Sequence, residues 1–471
     1  MRDLFKFRLR RFVFALAVAG IHGCASFSPD GGFDQVKSLA KERIGQDVQW
    51  LKTDADAMTA DATVKQLLAK PMTVDDAVTI ALLNNQGLQA SYAELGIAEA
   101  DLVQAGRLRN PTFSFARLQR GSEIEYERSL LLPILSLLTM PAATKIERQR
   151  FEHTQLRVAG EVVRTVDDTR RAYFAAVAAQ ETVKYMEQVQ AAAEAGAELA
   201  QRMVAAGNWS ALRQAREQAF HADATAQLAR ARQLHVSERE RLTRLLGLWG
   251  TQRAFTLPER LPDLPAAPRE IADAEAQAMQ NRLDLLLARR ELSVTADALG
   301  LTRTTRFINL LDVGYQHNTS NEKPRQTGYE IEIQIPLFDW GDARVAKAEA
   351  IYMQAVNRAA AQAVNVRSEV RTAYLGYRTA YDLARHYRDE IVPLQKRISD
   401  EQLLRYNGML ISVFELLADA RAQAATVNAA IEALRDYWIA DAALQMALTG
   451  RAAAGATMQA PQAAPAEAAG H

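Results

Sequence analysis

The stretch Tyr329–Asp342 reads YEIEIQIPLFDWGD. Tyr329, Ile331, Ile333 and Ile335 alternate with Glu330, Glu332 and Gln334. Strand side chains point to opposite faces with period two, so the segment predicts a strand with one apolar face and one acidic, wetted face. Pro336 cannot donate to a strand ladder and ends it. Leu337 and Phe338 lead into the corner Asp339-Trp340-Gly341, and beyond it no proline occurs until Pro393. A short strand thus feeds a very long helix.

Working outward, the same junction occurs earlier. Thr112–Arg120 alternates with Phe113 and Phe115 on one side, Gly121-Ser122 turns the chain, and Glu123, Glu125 and Glu127 alternate with Ile124 and Tyr126 up to Leu132. Pro133 closes this hairpin as Pro336 closes the later one. The later hairpin pairs about Phe307–His317 with Tyr329–Ile335 across a longer polar loop, 318–328. A transmembrane barrel turns such an apolar face to lipid and keeps the polar face in its lumen. Two strands alone are not stable, so each hairpin requires partners.

Helical segments flank both hairpins. Thr73, with Asp76 three residues on, caps a helix expected to run to about Arg109. Ala142–Ala206 is proline-free, and Val162, Val166, Tyr173, Ala176 and Val183 step by threes and fours along a coiled-coil seam. Gly207-Asn208-Trp209-Ser210 turns it into a return helix from Ala211 to Leu248. Pro258, Pro262, Pro265 and Pro268 then mark a linker. The order repeats: helix 271–305, hairpin, helix 342–406, a turn at Asn407-Gly408, and a return helix to about Leu448. Asn84 and Leu88 recur as Asn281 and Leu285, Ala172-Tyr173 as Ala373-Tyr374, and Gly207 as Gly408. Such register indicates duplication. The expected divisions are a signal segment 1–23, an N-terminal arm 24–72, a first repeat 73–250, a Pro-rich linker 251–270, a second repeat 271–450 and a disordered tail 451–471. The fold class is mainly α with a small β part: duplicated long antiparallel helical hairpins plus two β-hairpins.

The 471 residues carry 56 basic and 56 acidic side chains, which argues against a nucleic-acid partner. Aromatics make up only 7%, so close-packed alanine-rich helices are expected rather than a bulky core. Arg8, Arg10 and Arg11 precede an apolar run, 12–21, too short to span a bilayer, and Cys24 stands at the cleavage position. This resembles a bacterial lipoprotein signal, which implies acylation of Cys24 with palmitate. No phosphate-binding glycine loop and no cysteine pair occurs, and His153, His221, His235, His317 and His386 show no ligand spacing. Asp167-Asp168 are neighbours on a helix and do not face each other. Neither an enzyme nor a cofactor is expected.

Across residues 73–450 the chain resembles the TolC-like outer membrane efflux protein family. The resemblance rests on the repeated element order, on the corner Ile335 to Gly341, on Asn281-Arg282-Leu283-Asp284-Leu285 (similar to the family's Asn-Arg-Pro-Asp-Leu), and on the turn from Tyr406 to Ser412 followed by Glu415 to Ala420. It implies a homotrimer forming an α-helical tunnel under a twelve-stranded transmembrane β-barrel. The implied function is the outer-membrane exit duct of a tripartite pump, passively conducting small molecules or metal cations. A periplasmic adaptor and an inner-membrane pump would be its partners, and outer-membrane lipid its surroundings. Glu123, Glu125, Glu127, Glu330 and Glu332 would face the lumen. Glu415 and Asp419 would stand at the periplasmic entrance, with Gly207, Asn208, Gly408 and Ser412 at adaptor-contacting tips. Pro336, Phe338, Asp339, Trp340 and Gly341 would join barrel to tunnel. A protein-secretion duct and a soluble periplasmic coiled-coil scaffold are the alternatives.

Overall fold

The computed structural model describes residues 26–450; Cys24 and the tail lie outside them. The arm carries two helices, α1 (Phe33–Ile44) and α2 (Asp54–Leu68). An extended arm was expected beyond the first of these. The signal for α2 is present at Thr53, whose side chain accepts from the Asp56 N–H while Asp56 reaches back to the Thr53 N–H. Thr73 and Asp76 form the same capping box at α3 (Val74–Asn84).

The helix expected over 73–109 is two helices, α3 and α4 (Gln86–Ala105), because Asn85 adopts an extended conformation between them. Strands β1 (Thr112–Arg120) and β2 (Glu123–Pro133) follow. Helix α5 (Ile134–Ala205) starts eight residues before Ala142 and carries Pro141 inside it. Proline costs a helix about 3 kcal/mol, but a helix of 72 residues has ample hydrogen bonds to absorb one gap. At about 1.5 Å per residue α5 extends over roughly 110 Å. Helix α6 (Ala211–Leu245) returns along it. The second half repeats the order: α7 (Ala274–Asn281), α8 (Leu283–Thr304), β3 (Leu311–Ser320), β4 (Gln326–Ile333), α9 (Asp342–His386), a π turn (Tyr387–Ile391), α10 (Val392–Asn407) and α11 (Val413–Thr449). Strand β4 starts and ends earlier than Tyr329–Ile335, so Ile335 lies in the irregular segment after it.

The two hairpins form one antiparallel sheet in the order β1-β2-β3-β4, joined by the pairing of β2 with β3. No described helix is long and apolar enough to cross a membrane.

The core sits midway along the helical shaft. There Val158–Ala179 of α5 packs with α3, α4, the end of α6 and α11. The Pro-rich linker is a packed strap at this level. Phe255, Leu257, Leu261 and Leu264 are buried, and its backbone is held by side chains from both repeats. Gln180 donates to Pro258 O (2.9 Å), Glu181 accepts from Leu261 N–H (3.0 Å), Trp438 Nε1 donates to Pro262 O (3.0 Å) and Tyr381 Oη donates to Ala266 O (2.9 Å). Prolines remove backbone donors, so carbonyls are left over; Gln180, Trp438 and Tyr381 satisfy three of them, while Glu181 takes up a free N–H.

Candidate functional site

The register gives the sheet two unlike faces. Phe113 pairs with Leu130, Leu130 with Tyr315 and Tyr315 with Tyr329, so one apolar row crosses all four strands. The adjacent row runs Leu132, Val313, Ile331. Phe113, Leu130, Leu132, Tyr315, Tyr329, Ile331 and Ile333 are all exposed, so among the described residues no element covers this face. Arg128 lies on the same face nearer the strand tips, over the Phe115 and Tyr126 rings. The opposite face holds Glu123, Glu125, Glu127, Glu330 and Glu332 together. Asp312, directly across from Glu332, adds a further carboxylate. Gln316 donates to Glu330 (2.8 Å) and Lys323 pairs with Glu123 (2.6 Å). Asp312 was missed in the sequence reading, although it alternates with Leu311 and Val313 and was legible in principle.

At the corner, Asp339 Oδ1 accepts from Gly341 N–H (2.8 Å) and Gly341, at φ 75°, becomes the N-cap of α9. Phe338 is 98% exposed, and Trp340 is exposed beside it. Pro336 and Leu337 carry the chain between strand and corner. The first repeat has no such corner: β2 runs into α5 at Pro133.

The helix breaks at Asn85 and Arg282 are one device built twice. In the first repeat, Asn84 Nδ2 donates to Leu246 O and Gly247 O, and Asn85 Nδ2 donates to Leu245 O, which ties the break to the last turn of α6. In the second, Arg282 Nη1 donates to Ala447 O in the last turn of α11. Free carbonyls at a helix C-terminus welcome a cation. The Arg282 side chain is fully buried and forks onto Asp284 (3.0 and 2.5 Å), with Glu369 at 2.7 Å. Gln362 donates to the Asp284 carboxylate as well. Burial pulls the guanidinium's pKa down, and these two carboxylates more than restore it. Leu283 is the first residue of α8, a position whose N–H needs no helical partner and where proline would fit.

The two distal tips are matching turns. Asn208 N–H bonds to Met203 O and Leu410 N–H to Arg405 O, with Ser210 and Ser412 capping the return helices. The left-handed residue is Gly207 (φ 76°) in the first tip but Met409 (φ 59°) in the second. Gly408, the glycine of the expected turn, has φ −78° and only closes α10. The helix runs one residue further than the glycine spacing suggests, and a methionine bears a cost of about 1 kcal/mol. Glu415 is exposed and within reach of the Ser412 hydroxyl (3.3 Å). Asp419 is turned inward instead. It is buried and accepts from Gln395 (2.9 Å), so its carboxylate serves the α10–α11 hairpin. Nearby, Arg421 of α11 pairs with buried Glu217 of α6 (2.7 Å) and lies over Phe220. This pair ties one hairpin to the other and has no sequence signal, since its partners are two hundred residues apart.

Asp167 is a buried carboxylate of the shaft whose titration predicts a pH effect. Burial pushes it up to about 6, against the pull of Arg171 at 2.8 Å. The folded chain therefore holds a proton that the unfolded chain releases near 3.8. Stability from this group is full below that value and is lost as pH rises through about 6. The stability of Asp167→Asn relative to the native chain, followed by thermal melts, should rise from pH 4 to pH 7 by up to about 3 kcal/mol. A pH-independent difference would refute the assignment.

These features define the class of fold: a two-faced antiparallel sheet set on a long duplicated helical shaft. The chain has the fold of the TolC-like outer membrane factors. It superposes on the outer-membrane channel OprN with a TM-score of 0.68 at 18% identity, covering 87% of this chain and 99% of that one. A membrane protein from Pseudomonas aeruginosa gives 0.68 at 19% identity, covering 85% and 95%. CusC, which forms a transmembrane channel, gives 0.65 at 16%, covering 80% and 92%. In sequence the chain is 28% identical over 275 residues to the cobalt-zinc-cadmium resistance protein CzcC of Cupriavidus metallidurans. That match covers 58% of this chain and 64% of CzcC, so it spans less than two thirds of the relative. No protein-family model matches the chain.

Proposed function

We propose that three copies of this chain close a twelve-stranded barrel in the outer membrane and a helical tunnel beneath it. The assembly acts as the passive exit duct of a tripartite export pump. The observation that carries this is the sheet: four strands, unpaired edges at β1 and β4, one exposed apolar face and one acidic face. Lipid tolerates sheet only when it is closed, and four strands cannot close alone. Helix α10, with no buried residue, leaves Leu394, Ile398 and Leu404 exposed for neighbouring copies. The glutamates and Asp312 line the lumen and favour cations, which fits cargo of the metal-cation class named for CzcC. Cys24 carries the lipid anchor. The Gly207–Asn208 and Gly408–Ser412 tips meet the adaptor and pump, and Glu415 stands at the entrance.

Purified protein in planar bilayers tests this. The native chain should prefer cations over anions, Glu330→Gln/Glu332→Gln should reduce that preference at least about twofold, and Glu415→Ala should raise conductance or weaken block by divalent cations. Recovery of the chain in the soluble fraction without detergent would sink the barrel. An unchanged preference in the double variant would remove the lumenal role, and an unaltered Glu415→Ala channel would remove Glu415 from the entrance.

A further inference from the structure

The sheet–shaft junction carries a second chemical pattern. Exposed Leu108, Phe307, Leu337, Phe338 and Trp340 surround the strand bases. Among them stand Arg107 and Arg109 before β1, Arg306 before β3, and Arg344 and Lys347 in the first two turns of α9. Among the described residues none of these five cations has a carboxylate within 4.0 Å, although ion pairs are common elsewhere on the shaft. Arg109 and Arg306 occupy the same place in the two repeats, at the spacing that relates Asn84 to Asn281.

Two of the cations are held in position. Arg344 Nη2 donates to Arg306 O (3.0 Å), and the Arg306 guanidinium lies 4.4 Å from the Phe307 ring centroid. Arg306 Nε is buried with no hydrogen-bond partner. The corner closes on this pair, since a Cβ on Gly341 would lie 3.1 Å from Arg344 Nη2. On the apolar side the carboxylates of the layer are Asp339, already occupied by the Gly341 N–H, and Asp342 in the first turn of α9; Asp312 and Glu332, at the same level, lie on the opposite face of the sheet. The balance is positive. At the far end of the strands, Arg120, Lys323 and Arg325 share their rim with Glu123 and Glu322, and Lys323 is paired. Unpaired basic charge is thus concentrated at the base of the apolar face.

We propose that this junction is a binding collar for the phosphodiester headgroups of anionic glycerophospholipids, with Arg306 and Arg344 as its principal ligands. The inference rests on the barrel reading above and adds the lipid class it takes. An apolar sheet face buries acyl chains, interfacial aromatics sit at headgroup level, and cations beside them meet phosphate. Each basic side chain near an anionic surface strengthens binding about fivefold. The planar guanidinium offers paired donors that match a phosphodiester.

The full chain, released from detergent and analysed by native mass spectrometry, tests it with phosphatidylglycerol and phosphatidylcholine of matched acyl length. The native protein should retain phosphatidylglycerol at least about fivefold over phosphatidylcholine. Arg306→Gln/Arg344→Gln should lose most of that preference, Arg306→Lys/Arg344→Lys should keep a large part, and Arg117→Gln/Arg325→Gln at the strand tips should leave it unchanged. Equal retention of both lipids by the native chain, or an undiminished preference in the double Gln variant, overturns the collar. Retention of lipopolysaccharide in place of phosphatidylglycerol, or loss of the preference in millimolar inorganic phosphate, overturns it too. Failure of the native chain to form channels in phosphatidylcholine bilayers would instead count against the barrel itself.

Discussion

Replacing Arg282 with alanine is expected to lower stability by about 3–5 kcal/mol, seen as a large fall in the melting temperature of the detergent-solubilised protein. The reason is what stays behind. Arg282 is fully buried and is the counter-ion of both Asp284 and Glu369. Without it, two carboxylates remain close together with no cation, and Ala447 O loses a donor at the end of α11. Glu369 is 36% exposed and can turn to water, so the cost falls mainly on Asp284, which is 12% exposed and keeps only the Gln362 donor. Asp284→Asn, which keeps a hydrogen-bond acceptor beside the guanidinium, should cost less than half as much. A loss below about 1 kcal/mol for Arg282→Ala would mean that the break between α7 and α8 is held by packing alone.

The second large effect is expected at Gly341. Its φ of 75° is one that a side chain adopts only under strain, and an added Cβ would lie 2.5 Å from the Arg306 carbonyl oxygen. The neighbour is backbone and cannot swing away. Gly341→Ala should therefore cost about 2–4 kcal/mol, combining the left-handed penalty with overpacking. The cost falls on the join between sheet and shaft, so the readout is assembly. The heat-modifiable, folded species should disappear from gels of the membrane fraction. Gly376→Ala is the matched control. Gly376 lies inside α9 with open space where its Cβ would be, and alanine there should stabilise by about 0.5–1 kcal/mol. If both substitutions behave alike, the corner is not the constraint it is argued to be.

The strands were legible because period-two alternation is a local property. Phe113–Phe115, Ile124–Tyr126 and Tyr329–Ile333 each declare a face before any partner is known. Helix α2 was legible but overlooked, its capping box at Thr53 and Asp56 being the same as the one at Thr73. Pro141 misled in the opposite direction. A local rule ends a helix at proline, whereas packing along α5 carries the helix through it. The tip at Met409 misled for a related reason: glycine marks where a left-handed turn is cheap, while the length of α10 decides where it falls.

The sequence by itself determined the duplication, the two-faced strands, the proline-marked linker and the need of each hairpin for partner strands, since each follows from spacing within a few residues or from repetition along the chain. Only the tertiary structure decided which charges are spent. Asp419 turns in to Gln395, Glu217 reaches Arg421 of the other hairpin, and Arg282 is buried under the last turn of α11. It also decided which charges are free, as at Arg306 and Arg344. A carboxylate or guanidinium looks the same in sequence whether it is solvated, paired or held against a ring. The difference lies in which distant helix passes within 3 Å of it, and that is set by how the two halves of the shaft pack.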